Sequence, residues 1–375
     1  MGSAKRNEFT PNVIFPPGFT LAETIAFLGM SQAELAARIG RTPKFVNELI
    51  AGKAPLHEQT AMALERVLDV PASLWTGLES QYRLHKARTA ESLELETMTP
   101  WVRLFPMREM IKRGWIRKCF NQEATAKELL RFFGVASPDA WDEIWGREQY
   151  SVAFRRSQKY APNVHAMAAW LRQGELEAAR LACAAYDPGK FRETIPAIRA
   201  LTRMSEPAQF LPRLTELCCS CGVAVVFLPE VAGTHVSGAA RWVGKRPIIQ
   251  LSLRHKTDDH LWFAFFHEAK HILDHPRQKV FINGFDGDSP EEQEANAFAA
   301  ETLIPAKELK IFIAGRTRLA DIRDFAARTG ISAGIVVGRL QHEKVIPYNV
   351  GNQLKVRYRW ILPGDDESQG QGGKG

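Results

Sequence analysis

The chain has 375 residues, of which 45% are hydrophobic and 24% charged, as in a folded globular protein of two or three domains. No uncharged apolar run reaches the roughly 18 residues that a membrane-spanning helix needs, and the first 12 residues lack the apolar core of a secretory signal. The net charge of +7 permits nucleic-acid binding, but the excess is too small and dispersed to establish it.

The cysteines show an odd number and no regular spacing, which argues against a disulfide framework. This usage is typical of a reducing cytoplasm, where we expect the protein to be located. The segment 218–221 contains one C-x-x-C pair, but no second pair completes a structural zinc site. Buried packing is therefore the favoured interpretation of this cluster, ahead of a metal or redox role.

Residues 1–88 show the pattern of several short helices. Ser31 is predicted as the N-cap of one helix, with Glu34 completing a capping box, and Gly40 ends that helix. Thr42 is predicted to cap the next helix, with Pro43 at the favoured first position. Three further helices are predicted, at Leu21–Leu28, His57–Leu68 and Pro71–His85.

Residues 89–207 keep a helical pattern and contain no recognisable chemical motif. Tryptophans at irregular spacing indicate a packed helical module. They are Trp101, Trp115, Trp141, Trp145 and Trp170. This region is predicted as a second domain.

Residues 208–362 change in character, and we expect a third domain there. Three β-branched or alternating runs predict strands, at Val223–Leu228, Val236–Val243 and Pro247–Leu253. Four helices are predicted after them, at Asp258–His275, from Ser289 to near Pro305, at Asp321–Thr329 and at Ala333–His342. The whole chain is therefore expected to be α+β, with a small antiparallel or mixed sheet, and the glycine-rich residues 363–375 are expected to be disordered.

The helix predicted at Asp258–His275 carries the first chemical motif. His267 and His271 are four residues apart, so both imidazoles lie on one face and can share a tetrahedral zinc ion. Glu268 stands where such sites hold the general base for the activated water, about 100° around the helix from His267. The apolar run Leu261–Phe266 before it indicates a buried helix rather than a chance match on a charged surface.

A catalytic zinc site needs a third protein ligand and one open position. Glu292 is the favoured third ligand, because Asn296 follows on the same face, where it can hold a ligand histidine through its other ring nitrogen. Glu294 is the rival ligand, about 200° around the helix from Glu292. Glu292 could also complete a capping box with Ser289, and both roles stay open.

Three other histidines lie near the motif. His275 follows His271 by four residues, and we expect it to cap the helix end rather than to bind metal. His255 and His260 are expected at the surface.

The segments 266–275, 292–300 and 303–305 together resemble the ImmA/IrrE metallopeptidases, and the resemblance extends from about Leu217 to Trp360. It implies a thermolysin-like zinc domain with a glutamate as third ligand. It also implies cleavage of partner proteins, often transcriptional repressors. An extended substrate could pair with the strand at 238–241 as an added strand.

The segments 29–36 and 46–53 resemble the HigA type of phage-repressor helix-turn-helix domain. In such folds the second helix enters the major groove with its N-terminal residues at the base edges. Thr42, Lys44 and Asn47 are therefore expected at the bases, with Gln32 and Arg41 on phosphates. A helical module that binds only protein is the alternative.

The sequence thus predicts a DNA-binding regulatory zinc metallopeptidase that cleaves a transcriptional regulator, with Glu268 as general base. Its expected partners are double-stranded DNA and that protein substrate, with a homodimer as a further option. The alternative is an antitoxin-like regulator, or a sensor, with a structural or vestigial zinc site. Intact Glu268 favours the enzyme, because a structural site has no need of that carboxylate.

Overall fold

The computed structural model describes residues 14–146, 163–283 and 289–360, which form two compact units that divide between Thr97 and Met98. The fold is mostly helical with a small mixed sheet, so the α+β prediction is confirmed. The expected disordered tail at 363–375 lies outside the described residues. Within the described ranges, no helix has both the length and the apolar character to cross a membrane.

The first unit is a helical domain built around a small apolar core. Its helices are α1 (Pro17–Phe27), α2 (Gln32–Arg38), α3 (Pro43–Ile50), α4 (Glu58–Leu68) and α5 (Ala72–Thr97). Ser31 and Thr42 cap α2 and α3 as predicted, each hydroxyl accepting from the backbone N–H three residues on. Glu34 pairs instead with Arg38 at 2.6 Å, so its carboxylate is directed along the helix and away from the cap. Gly40 has φ +66°, the left-handed conformation that lets α3 turn away from α2.

The helix α5 extends beyond the end predicted at His85. No glycine or proline interrupts residues 86–97, and Pro100 follows soon after, so the chain has no local reason to leave the helix earlier. Position 88, where the sequence analysis placed a domain boundary, lies inside this helix. The domain bounds at 88 and 207 stay predictions.

The first half of the second unit is helical. Its helices are α6 (Thr99–Val102), α7 (Met107–Lys112), α8 (Gln122–Phe133), α9 (Pro138–Trp145), α10 (Val164–Arg180), α11 (Pro188–Ala200) and α12 (Pro207–Ser220). Trp101 and Trp141 lie in one aromatic cluster with Phe105 and Phe133, with ring centroids 4.9 to 6.4 Å apart. Trp170 lies fully buried on α10, close to the sheet.

The sheet has four strands in the order β1-β3-β2-β4: β1 (Ala224–Phe227), β2 (Gly238–Val243), β3 (Arg246–Leu251) and β4 (Phe281–Asn283). The pair β1 and β3 is parallel, and both pairs that contain β2 are antiparallel. The first three strands match the predicted runs, whereas β4 has no counterpart in the sequence analysis. With only three residues, it shows no alternation from which a strand could be predicted.

The sheet lies between two helices that cover its opposite faces. These are α10 and α13 (Asp258–Asp274). Ala224, Val226 and Ile248 pack with Ala178 of α10, whereas Val225 and Ile249 belong to the core that contains α13. This alternation follows from the two-residue repeat of a strand, and it fixes the face on which α13 presents its histidines.

Four helices complete the second unit: α14 (Pro290–Leu303), α15 (Ala306–Ile313), α16 (Leu319–Thr329) and α17 (Ala333–His342). Both α14 and α17 pack along α13. A closing segment, residues 356–358, then bonds across the N-terminus of α13. The Asp258 N–H donates to the Val356 carbonyl at 3.0 Å, and the Tyr358 N–H donates to the Lys256 carbonyl at 2.9 Å.

The cysteine arrangement requires a correction. Cys183 and Cys219 are paired in a single disulfide across 36 residues, whereas the sequence analysis argued against a disulfide framework and did not foresee this pair. Cys183 follows α10 and Cys219 lies near the end of α12, and the Ala184 N–H donates to the Cys219 carbonyl at 2.9 Å. This contact joins segments whose proximity no cysteine spacing reveals. Cys218 and Cys221 are buried free thiols, in agreement with the packing role expected for the cluster.

Candidate metal centre

The helix α13 holds the motif residues in the interior of the second unit. Its fully buried residues include Phe265 and Phe266, which anchor it in the core just before the motif. His267 and His271 are each 2% exposed, and Glu268 is completely buried. Burial of three polar side chains within five positions is costly unless they interact with one another or with a ligand, so this stretch is a candidate functional site.

Three side chains converge there. His267 Nε2 lies 3.1 Å from His271 Nε2 and 3.0 Å from a Glu292 oxygen, and His271 Nε2 lies 3.5 Å from the other oxygen of Glu292. Among the described residues, they are the one group of three His, Cys, Asp or Glu side chains placed to hold a metal ion. The roles assigned to these residues stay predictions.

The carboxylate of Glu292 reaches the histidines because of how α14 begins. The Ser289 hydroxyl caps α14 by accepting from the Glu292 backbone N–H at 3.4 Å, while the Glu292 carboxylate lies at the two histidines. Glu294 faces elsewhere, with its carboxylate 3.3 Å from His275 Nε2 and 61% exposed. The structure therefore brings Glu292, and not Glu294, to the two histidines.

Both histidines also have a neighbour at the ring nitrogen that faces away from this group. His267 Nδ1 lies 3.0 Å from Asn296 Oδ1, the arrangement expected from the sequence. His271 Nδ1 lies 2.7 Å from His275 Nδ1. His275 does end α13, as predicted, with its N–H donating to the His271 carbonyl at 3.2 Å. Its side-chain contact with His271 was not foreseen.

The ring of His271 is further held by β4. Phe281 stacks on it with centroids 3.9 Å apart and planes 16° from parallel. Burial, together with the nearby His267 and His275, lowers the pKa of His271 to about 2, so the imidazole is neutral and keeps a lone pair for a metal. Sequence reasoning missed Phe281 because it missed β4.

Glu268 lies against β2 at Gly238. A Cβ placed on Gly238 would come within 2.9 Å of a Glu268 oxygen and 3.0 Å of its Cγ, so a larger residue there would push this carboxylate from its present position. A glycine inside a strand often marks such a close approach, and that signal was available in the sequence. Glu268 is consequently held next to the two histidines without being one of the three converging ligands.

The donor set suits zinc. Two imidazole nitrogens and one carboxylate are common ligands of catalytic zinc, and at zinc–ligand distances near 2 Å tetrahedral ligands lie roughly 3.3 Å apart. The observed separations of 3.0, 3.1 and 3.5 Å bracket that value. Three protein ligands leave a fourth position for water or substrate.

A cavity of about 690 Å³ adjoins this centre at Asn296. Phe263, Ala264 and Ala300 contribute apolar surface to it, and it also has a polar rim. The rim includes Arg254, His255, Lys256, His260, Arg339 and His342. His255 and His260, expected at the surface, are indeed exposed there and stack on each other at 4.2 Å.

One expectation about the sheet is wrong. The segment 238–241 was expected to accept a substrate as an added strand, but β2 is an inner strand between β3 and β4. Gly238, Ala239 and Ala240 pair with β4 on one side and with β3 on the other. Among the described residues, no strand pairs with the outer edge of β4, so the open edge near the histidines belongs to β4.

The first unit presents the predicted DNA-contacting residues at its surface. All five are exposed: Gln32, Arg41, Thr42, Lys44 and Asn47. Gln32 is the first residue of α2, and Thr42 caps α3. Lys44 and Asn47 lie on α3, whose buried face consists of Val46 and Leu49. Contact with DNA stays a prediction for each of them.

Comparison with known families agrees with this division of the chain. Residues 220–341 match the family model of the IrrE N-terminal-like domain, Peptidase_M78, and residues 28–75 match a helix-turn-helix family model. None of the curated proteins compared with the chain matches it. The predicted architecture, a helix-turn-helix domain followed by an ImmA/IrrE-type domain, is therefore confirmed.

Proposed function

We propose that this chain, which joins a helix-turn-helix domain to an IrrE-like domain, is a DNA-binding regulatory zinc metallopeptidase. The observation that carries the proposal is the convergence of His267, His271 and Glu292. A buried glutamate, Glu268, follows His267 on the helix that carries both histidines. A purely structural zinc site is closed by four protein ligands, whereas this group supplies three. The fourth position and the adjacent carboxylate are what hydrolysis requires.

The chemistry follows from the arrangement of the side chains. When bound, zinc supplies Lewis acidity toward a water molecule and toward the scissile carbonyl group. Glu268 accepts the proton of the attacking water at its carboxylate and then donates it to the amine that leaves. Gly238 fixes the position of that carboxylate, and Asn296 orients His267.

Two surfaces near the centre suit a peptide. An extended segment of a protein substrate can add to the outer edge of β4 through main-chain hydrogen bonds. The cavity beside Asn296 has room for a large side chain next to the cleaved bond. The substrate we propose is a transcriptional regulator, as the resemblance to ImmA/IrrE proteins implies.

The helix-turn-helix domain would place the peptidase at a promoter. The exposed N-terminal end of α3 suits the major groove, with Thr42, Lys44 and Asn47 toward the bases. Gln32 and Arg41 would contact phosphates.

The test is the variant Glu268→Gln, which keeps the size of the side chain but cannot act as a base. Wild type and variant, both loaded with zinc, are incubated with a protein extract of the host, and new N-termini are identified by mass spectrometry. Wild type should create a small, discrete set of N-termini, and the variant should create them about 10²–10⁴ times more slowly. Zinc content and promoter binding should be equal in the two proteins.

The opposite results have definite meanings. If both proteins produce the same N-termini, Glu268 is not the general base. If neither produces any while both bind zinc and DNA, the chain is an antitoxin-like regulator or sensor with a structural or vestigial zinc site.

A further inference from the structure

His275 lies in a chain of polar contacts that connects the metal centre with the protein surface. Its Nδ1 lies 2.7 Å from His271 Nδ1, and its Nε2 lies 3.3 Å from a Glu294 oxygen. The His275 side chain is 5% exposed, whereas Glu294 is 61% exposed. Since a helix end needs no side chain to be buried in this way, its position calls for another explanation.

The contacts define which nitrogens carry protons. Glu294 can only accept, so His275 donates to it from Nε2 and leaves the lone pair of its own Nδ1 facing His271. His271 then donates from Nδ1, and its Nε2 keeps a lone pair directed toward His267 and Glu292. The other tautomer of His271 would place a proton on Nε2, where a metal has to bind.

We propose that His275, supported by Glu294, is a positioning residue that holds His271 in its metal-binding tautomer and orientation. The proposal rests on the zinc centre of the proposed function. Asn296 does the same for His267, so each ligand histidine has its own outer partner. Such outer partners make a ligand histidine more basic and fix its ring, and their loss typically weakens metal binding by about 10–100-fold.

Phe281 limits the ways in which His271 could compensate. It stacks on the face of the His271 ring at 3.9 Å, which prevents the ring from tipping but supplies no hydrogen-bond acceptor. The edge of the ring is therefore held by His275. Glu292 and Glu294, two residues apart on α14, thus act on the same histidine from opposite ends of its ring, at Nε2 and, through His275, at Nδ1.

The experiment measures metal binding directly. Zinc affinity is determined by competition with a chromogenic chelator, and the geometry of the site by the visible absorption spectrum of the cobalt-substituted protein. The variants are His275→Phe, which removes the hydrogen bonds, and His275→Gln, whose amide can accept from His271 and donate to Glu294. His85→Phe is the control, a partly exposed histidine of α5 that lies outside this chain of contacts.

For His275→Phe we expect zinc binding about 10–100-fold weaker and an altered cobalt spectrum, with the melting temperature of the metal-free protein unchanged. His275→Gln should restore most of the affinity. Glu294→Gln should have a smaller effect than His275→Phe, because water can replace an exposed carboxylate. The control should bind zinc as wild type does.

Two results would overturn the proposal: wild-type affinity in His275→Phe, or equal losses in His275→Phe and His275→Gln, which would indicate packing rather than hydrogen bonding. Should His275→Phe fail to fold, His275→Gln and Glu294→Gln still decide. The proposal requires a near-wild-type zinc affinity and cobalt spectrum in His275→Gln and a weakened site in Glu294→Gln, and the reverse order of the two variants would overturn it. If wild type itself binds no zinc, the proposed metallopeptidase fails. This result is distinct from a failure of the His275 proposal, which requires a wild type that binds zinc.

Discussion

The carboxylates of Glu292 and Glu294 stand two positions apart on α14, which separates them by about 200° around the helix. One reaches His267 and His271, and the other reaches His275. The two-residue offset, about half a turn of the helix, therefore decides which carboxylate reaches the two histidines. At this scale the absence of a side chain matters as much as its presence, because Gly238 is what leaves room for Glu268.

Gly238→Ala should separate catalysis from metal binding. The added methyl group would lie 2.9 Å from a Glu268 oxygen and must displace the carboxylate, while the three proposed zinc ligands are not touched. A displacement of about 1 Å can cost roughly 100-fold in rate, so we expect such a loss of cleavage with zinc affinity near that of wild type. Gly315→Ala, whose methyl group meets only the Phe312 carbonyl at 3.5 Å, is the control. Full cleavage activity in Gly238→Ala would show that Glu268 does not need this position.

At the scale of elements, the N-terminus of α13 is fastened by parts of the chain that are distant in sequence. Asp258 accepts from the Ser332 hydroxyl at 2.5 Å and from the Val356 N–H at 3.1 Å. Gly334 of α17 lies so close that a Cβ there would come within 2.4 Å of an Asp258 oxygen. The helix α13 is thus positioned by α17 and the closing segment, as well as by the sheet.

The burial of Asp258 should make the stability of the folded protein fall as the pH rises, the direction opposite to that of most aspartates. Burial raises the pKa of Asp258 to about 6, against the hydrogen bond from Ser332, which acts to lower it. The unfolded aspartate titrates near pH 3.9, so between about pH 4 and 6 the folded protein binds more protons, and this contribution is lost as the pH rises. Asp258→Asn cannot titrate. Relative to wild type it should gain stability as the pH rises from 4.5 to 7, by at most about 3 kcal/mol. The measurement is the difference in melting temperature of the metal-free proteins at several pH values, and a constant difference would contradict the assignment.

At the scale of the whole molecule, the two sites of the proposed function lie in two different compact units. The exposed end of α3 belongs to the first unit, and the converging histidines belong to the second. Substitutions in the first unit should therefore leave metal binding intact, and substitutions in the second unit should leave DNA binding intact. The net charge of +7 permits attraction to nucleic acid without establishing it, and salt should screen any such attraction.

Binding of the full chain to a promoter fragment should weaken steeply with added salt, because phosphate contacts release counterions. Arg41→Ala should weaken binding to all sequences alike and lower the salt slope by about 1, whereas Asn47→Ala should relax the sequence preference. The control is Lys256→Ala in the second unit, which should bind DNA as wild type does. Fluorescence anisotropy at several salt concentrations, with the promoter fragment and an unrelated fragment, gives the affinity, the salt slope and the sequence preference. If the full chain has no DNA affinity at low salt, the first unit is a protein-interaction module.

How much the sequence predicts depends on whether the signal is local. The i, i+4 histidines, the caps at Ser31 and Thr42 and three of the four strands all follow from spacing within a few residues, and the structure shows each of them. Features made by distant segments were missed: β4, the disulfide between Cys183 and Cys219, and the contact of His275 with Glu294. Each depends on how elements pack, which no local pattern encodes. The length of α5 was underestimated for a different reason, since the absence of a breaker is a weaker signal than its presence.

The closing segment has a consequence for how the protein is made. Thr257 bridges to Arg357, and Asp258 bonds to Val356, residues separated by about one hundred positions. Chains emerge from the ribosome N-terminus first, and their domains fold in that order. The helix-turn-helix unit can therefore fold while the rest is still being translated, but the N-terminus of α13 obtains its last hydrogen-bond partners only after residue 358 has been added. Under the proposed function, a nascent chain would be competent to find DNA before it is competent to cut protein. A ribosome that stalls before that point would release a helix-turn-helix fragment whose metal centre is unfinished.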